Sequence, residues 1–430
     1  MIKSLSRCIR PFSSSSTALA KKSKKAAKKD AVDGAPVLLG RPSNHLKMGV
    51  VGLPNIGKSS LFNALTNSSV PAENYPFCTI DPSEAIVQVP DVRFDWLCET
   101  YQPKKITAAH LTVLDIAGLV RGASSGAGLG NAFLSNVASV DGLYHLVRAF
   151  DNDDVTHVEN TVDSVRDLGI IQDELRLKDE ESVERQLGEW VRLASKPASA
   201  NNLVPNGRHT IKEHAQGIEQ VANFLASGTR DVRKGQWDAH QAHIINSLHL
   251  LTAKPMVYLC NVSMADYLSG VTNKDNQRIS EIQKWVNENN PGDIIIPLSV
   301  AFESKISEMA ADERMDYLAS VGVESQLPKV ILAGYKALDL LHYFTCGPEE
   351  VRAWSVRNYS KAPQAAGVIH TDFERGFISA DIMKYTDLHE LGSEAAVRAA
   401  GKFLQKGKDY VMEDGDIAHF KFNLTGNKKK

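Results

Sequence analysis

At 430 residues the chain is long for one compact domain, and two or three domains are expected. Its 43% hydrophobic and 23% charged residues are those of an ordinary soluble globular protein, and a net charge of -2 excludes a global electrostatic pull toward nucleic acid or membrane, so any basic surface must be local. Five cysteines without a CxxC pair argue against a zinc site or a disulfide framework and for a reducing compartment, and no apolar run reaches the roughly 18 residues needed to cross a bilayer.

Residues 1–29 contain no Asp or Glu. Lys3, Arg7 and Arg10 fall mostly off the helical stripe of Ile2, Leu5 and Ile9; a serine run and a lysine run (Lys21 to Lys29) come next. An Arg-rich, Ser-rich, acid-free amphipathic start has the character of a mitochondrial transit peptide, and Arg10-Pro11-Phe12-Ser13 resembles a matrix-protease cleavage pattern. A disordered basic tail or a nuclear signal in the lysine run is the other reading. Residues 1–45 are therefore set aside as transit peptide and basic linker, which makes the mitochondrial matrix the expected location and the cytoplasm the alternative.

Residues 46–51 form a short apolar strand. Gly52-Leu53-Pro54-Asn55-Ile56-Gly57-Lys58-Ser59 then fits GxxxxGK[ST], and Ser60 to Leu65 opens a helix. Strand, glycine loop and helix N-terminus together make a phosphate cradle from backbone N–H groups and a helix dipole. Asn55, Ile56, Gly57, Lys58, Ser59 and Ser60 are the expected nucleotide contacts. Lys58 would bridge the β and γ phosphates and the Ser59 hydroxyl would ligate Mg²⁺.

Thr79 lies 20 residues after Ser59, where a switch threonine reaches Mg²⁺ in GTPase-type folds. Residues 111–118 end a strand in Asp115-Ile116-Ala117-Gly118, a DxxG element 57 residues after Lys58. Asp115 would hold a magnesium-bound water, and the Gly118 N–H would sense the γ-phosphate. The expected metal set is thus Ser59, Thr79 and Asp115. Further strands at 142–147, 255–261 and 293–299 alternate with helices, which predicts a doubly wound α/β sheet with nucleotide beyond the carboxyl ends of its strands. His145 falls inside one of these strands and reads as packing.

Beyond residue 160 the pattern changes. Residues 161–196 are charged and helical, with Ile171, Leu175, Val183, Leu187, Trp190 and Val191 at helix-compatible intervals. Pro197 and Pro205 bracket a loop, and Ile211, Ile218, Val221 and Leu225 begin a second stripe, so an antiparallel hairpin is expected. From about Tyr343 onward, strand-like runs at 351–356, 376–380 and 417–422 surround a helix predicted over 393–405: a small α+β module.

Three separated blocks carry a family resemblance. They are Val51 to Ser59 with Asn74 to Pro82; Asp115 to Val120 continuing through Gly128 to Leu134; and Lys361 to Gly367 with His370 to Phe373. From about Leu46 to Phe422 the chain closely resembles the YchF / Obg-like ATPase family. The resemblance implies a P-loop NTPase G domain over 46–342 with a helical insertion over about 160–245. It also implies a C-terminal TGS domain of β-grasp fold over 343–425, a plausible ribosome- or RNA-facing module. ATP, Mg²⁺ and a ribosome or ribosomal subunit become the expected ligand, cofactor and partner, with no membrane insertion and a monomeric chain.

Many GTPases orient the attacking water with a Gln just after DxxG. Leu119 occupies that position, and the family is similar in carrying a hydrophobic residue there. His157, where the family pattern also has a His, is the candidate substitute; capping the insertion helix or pairing with neighbouring acids is its alternative. Arg121 could neutralise phosphate charge or be merely solvated. In related GTPases a loop Asn like Asn55 helps bind K⁺; a turn residue after Pro54 is an equal reading. Typical GTPases read guanine with NKxD. Here Asn261 is kept, Val262 replaces the Lys, and Met264 replaces the Asp, where the family usually has Glu. ATP is therefore expected over GTP, with Asn261 and Val262 beside the base. Two other readings stay open: a nucleotide-gated binding module with negligible hydrolysis, and a GTPase of the Obg class.

Overall fold

The computed structural model describes residues 37–67, 83–116, 118, 129–152, 155–196, 200–204, 209–228, 230–270 and 276–423. Residues 1–36, Thr79, Leu119, Arg121, Pro197 and Pro205 lie outside these.

Two six-stranded sheets organise the chain. The first is built from β1 (Lys47–Val51), β2 (Glu84–Gln88), β4 (His110–Asp115), β5 (Gly142–Arg148), β6 (Met256–Asn261) and β7 (Ile294–Leu298), in the order β2-β4-β1-β5-β6-β7. β2 is antiparallel to β4; every other neighbouring pair is parallel. Every residue of β5 and β6 is buried, because helices cover both faces and a parallel sheet so covered needs continuous apolar strands. The α/β expectation holds. β1 lies between β4 and β5, so the loop after β1 opens where the strand order reverses.

Helix α1 (Lys58–Asn67) comes directly after β1, and Leu61, Ala64 and Leu65 bury it against the sheet. Helix α2 (Val92–Tyr101) is capped by Asp91, whose carboxylate accepts from Arg93 N. The short β3 (Lys105–Thr107) comes next, and α3 (Leu129–Ser139) leads into β5.

After β5 the insertion opens with α4 (Ser164–Ala194), 31 residues and so about 46 Å long. Asp163 caps its start. It pairs with α5 (Ile211–Ala226), which begins in a capping box of Thr210 and Glu213, and α6 (Ala239–Leu248) closes the unit with a second box of Asp238 and Gln241. Val183, Ile218, Val221, Leu225, Ile244 and Ile245 form its separate core. The predicted hairpin is present, with one correction: Val191 is 51% exposed and leaves the stripe, while its neighbour Trp190 turns inward against His214 of α5.

The second sheet combines β8 (Leu340–Thr345), β9 (Glu350–Arg357), β10 (Phe377–Lys384), β11 (Leu404–Lys406) and β12 (Asp416–Phe422) with β3, in the order β11-β10-β12-β8-β9-β3. The first strand of the C-terminal module, β8, starts at Leu340, three residues before the expected boundary. β3 comes from the nucleotide domain and adds parallel to β9, with Lys105 paired to Glu350. Phe94 and Leu97 of α2 pack on the same sheet, against Phe344, Val351 and Ile417. The helix predicted over 393–405 is shorter, Glu394–Ala399. Gly401 takes φ +70°, the chain turns there, and Leu404 to Lys406 pair with β10 instead.

Candidate functional site

Residues 52–57 leave β1 with their apolar members turned inward: Leu53 and Ile56 are buried, while Asn55 faces out. Asn55 takes φ +61° and Gly57 φ +100°, the left-handed region. A Cβ on Gly57 would sit 3.1 Å from Asn261 Nδ2, so glycine answers both a backbone and a space requirement. The Asn55 side chain donates to Thr156 O at 3.2 Å. Gly57 O accepts from Leu61 N, which starts α1 directly behind the loop.

Lys58 folds back so that its Nζ donates to Leu53 O at 2.6 Å. Burial lowers its pKa to about 8, against the opposing pull of Asp115. Beside it, Ser59 Oγ donates to Asp115 Oδ2 at 2.8 Å, while Asp115 Oδ1 is buried without a hydrogen-bond partner among the described residues. A buried carboxylate oxygen left unpaired is costly, and a hydroxyl and a carboxylate together are hard oxygen donors of the kind Mg²⁺ takes. The residues present fit that ion. Gly118 lies against the same lysine: a Cβ there would be 2.9 Å from Lys58 Nζ and 3.1 Å from Pro54. Lys58 and Ser59 thus meet Asp115 and Gly118, which lie more than 55 residues further along the chain.

Behind them opens a cleft of 930 Å³, which Asn55, Gly57, Ser60, Val262 and Met264 help to line. Asn261 reaches it from the end of β6, but both ends of its side chain are engaged within the protein. Nδ2 donates to Ile56 O at 2.9 Å, and Oδ1 accepts from Val300 N at 3.0 Å. The sequence put Asn261 beside the base; the structure makes it a staple between the loop and the first residue of the helix Val300–Ser307. Val262 is buried, and its N–H donates to Leu298 O. Met264 is half-buried at the first position of α7 (Met264–Leu268). Among the described lining residues the single carboxylate is Asp151, held by Arg278 Nη2 at 2.8 Å to each oxygen.

His157 is buried at 5% exposure on the loop before α4. Its Nε2 lies 2.9 Å from Asp167 Oδ2, and its Nδ1 accepts from Glu159 N at 3.2 Å. A carboxylate partner puts the ring proton on Nε2 and makes Nδ1 the acceptor. The ring thus pairs with an acid of α4 rather than with the acids adjacent to it in sequence, and Nδ1 is occupied by one long bond. Burial raises Asp167, and Arg166 and His157 pull it back. His145 is buried in β5 against Tyr258, 5.6 Å between ring centroids, and burial lowers its pKa to about 3: packing, as expected.

Sequence reading missed Asp167, Arg148 and Asp151. Asp167 looks like one acid among many on a charged helix. Arg148 could have been noticed, since an arginine ending a strand of this apolar character must find partners when the strand is buried.

Residues 47–175 match a family described as 50S ribosome-binding GTPase, and residues 340–423 match the YchF-GTPase C-terminal family, described as a protein of unknown function. The chain is 51% identical over 406 residues to Obg-like ATPase 1 of Oryza sativa subsp. japonica, covering 94% of this chain and 99% of the rice protein. It is 48% identical over 396 residues to Obg-like ATPase 1 of Homo sapiens, covering 92% and 97%. The solved structure of the Schizosaccharomyces pombe YchF GTPase matches with a TM-score of 0.79 at 51% identity, covering 89% of this chain and 99% of that one.

Proposed function

Because the chain belongs to the YchF / Obg-like ATPase family, we propose that it is an ATP-hydrolysing switch acting on ribosomes in mitochondria. The observation that carries the hydrolase reading is the Ser59–Asp115 pair with its orphaned carboxylate oxygen, set beside a buried lysine whose one hydrogen bond among the described residues is to the Leu53 carbonyl. Bound there, Mg²⁺ would neutralise charge on the β and γ phosphates. Lys58 would exchange Leu53 O for phosphate oxygens, and Ser59 and Asp115, with Thr79, would hold the ion. Gly118 offers its N–H to the γ-phosphate. K⁺ at Asn55 would take the amide oxygen, since the amide nitrogen already serves Thr156 O.

With leucine in the glutamine position, water must be handled by another group. His157 is the candidate: Asp167 orients the ring, and loss of the long Glu159 contact would free Nδ1 to accept a proton from water. Turnover should be slow, because that contact must first break. The same observation favours a second reading, a nucleotide-gated binding module with negligible hydrolysis. Phosphate release under multiple turnover separates the two: a rate no higher than that of Lys58→Ala supports the binding module.

ATP is proposed over GTP. Guanine asks for a carboxylate toward its ring N–H and amine, and Met264 has none to give. Asp151 is neutralised by Arg278. Unpaired guanine donors would weaken binding by about 1–3 kcal/mol each. The ribosome reading rests on the family described as ribosome-binding that residues 47–175 match, and the mitochondrial reading on the basic, acid-free residues 1–29. Co-sedimentation with mitochondrial ribosomes under each nucleotide tests both.

A further inference from the structure

Among the described residues Arg148 is the largest fully buried side chain, at 1% exposure on the last residue of β5. A guanidinium so placed must spend its donors on something. It spends them on main-chain oxygens of a single loop: Nε donates to Phe150 O at 3.1 Å, Nη1 to Val155 O at 3.0 Å and Nη2 to Asn152 O at 2.8 Å. It also backs the Phe150 ring, with Cζ 4.8 Å from the centroid. Phe150, Asn152 and Val155 all line the cleft behind the phosphate loop. Thr156, one residue on, accepts from Asn55 of the phosphate loop itself. At its own backbone, Arg148 O accepts from Ser164 Oγ, the first residue of α4, at 2.7 Å.

We propose that Arg148 is a positioning residue that shapes the nucleoside-side wall of the cleft and ties that wall to the first turn of the insertion helix. The inference rests on the nucleotide-binding reading above and extends it. Three carbonyls converging on one planar fork are a geometry that arginine meets and lysine does not, since an ammonium is a point donor on a single stem. Without the fork, three main-chain oxygens lose charge-assisted bonds and the loop has no reason to keep one shape. The phosphate loop keeps its own supports, Asn261 on Ile56 O and Val300, and so should still hold phosphate. The wall acts on the nucleoside, the cradle on the phosphates, and Arg148 belongs to the first.

The test measures dissociation constants for ATP and for inorganic tripolyphosphate, both with Mg²⁺, by displacement of a fluorescent ATP analogue from the full chain and from Arg148→Met and Arg148→Lys. Arg148→Met should weaken ATP roughly tenfold or more, the scale set by leaving buried carbonyls unpaired, and tripolyphosphate by less than about twofold. Arg148→Lys should fall between parent and Arg148→Met for ATP. It carries the test alone if Arg148→Met does not fold. Parallel weakening of both ligands would make Arg148 a general support of the fold, and unchanged ATP affinity would remove it from the cleft; either overturns the proposal. A parent chain that binds neither ligand overturns the nucleotide reading itself, which separates the two failures.

Discussion

At Lys58 a buried ammonium waits on one carbonyl, and its pKa is lowered to about 8. A triphosphate offers it several charged oxygens, so Lys58→Ala should abolish productive binding while leaving circular dichroism and melting close to parent. Calorimetry that finds equal affinity would contradict this. The lowered pKa also gives the pH effect a definite sign. Below about 8 the group is charged and able to neutralise phosphate; above it the free form loses that charge. Triphosphate affinity in the parent should therefore fall as pH is raised through that value, and the residual affinity of Lys58→Ala should not. His157→Ala should lower turnover about 10²- to 10⁴-fold with little change in nucleotide affinity. Because His157 also pairs with Asp167, a melting curve must accompany the rates; unchanged turnover would remove His157 from the mechanism. The phosphate loop and DxxG were legible because their chemistry needs fixed spacing and fixed residue types. Asn261 was legible as a site residue, yet its task was not, since its partners Ile56 and Val300 lie 205 and 39 residues away.

Among the elements, α2 and β3 are the informative pair. Both stem from the nucleotide domain, yet both join the second sheet. β3 is three residues long with Lys105 and Ile106 exposed, so it has no alternating apolar signal to read. The helix predicted over 393–405 failed for a related reason: Ala and Val continue at helical intervals, but Gly401 turns the chain and Leu404 to Lys406 are taken up as an edge strand. The junction that α2 and β3 make is electrostatic at its centre. Asp91 caps α2, accepts from Arg93 and pairs with His342 Nδ1 at 3.0 Å, and Asp414 receives both Arg93 and His342 N. Burial alone would raise Asp91, but His342 and Arg93 outweigh it and hold the carboxyl below the usual carboxylate range. A folded value below the unfolded one contributes stability that is complete above the unfolded value near about 4 and is lost as pH falls through the folded value. Asp91→Asn should cost about 3 kcal/mol in urea unfolding at neutral pH, the scale of breaking a buried pair. The variant should also show less acid sensitivity than the parent. Equal slopes against pH below about 4 would remove Asp91 from the acid response.

At the scale of the whole molecule, the insertion, the nucleotide domain and the C-terminal sheet are joined by residues 38–45 as well. Arg41 pairs with Asp141 at 2.6 Å, Gly40 N donates to Asn246, and Arg357 donates to Arg41 O and Leu39 O. These three parts are thus tied at several points, as the proposed switch would need in order to pass nucleotide state outward. Residues 1 to about 20 should direct import and then be removed; N-terminal sequencing of the organelle-purified protein that finds Met1 intact would defeat this. The central claim, an ATP-hydrolysing P-loop switch, is tested most directly by multiple-turnover phosphate release from Mg²⁺·ATP and Mg²⁺·GTP, comparing the parent chain with Lys58→Ala. The account predicts slow turnover of ATP above the Lys58→Ala background and faster than that of GTP. Release from ATP equal to that background, or GTP turned over in preference to ATP, would contradict it.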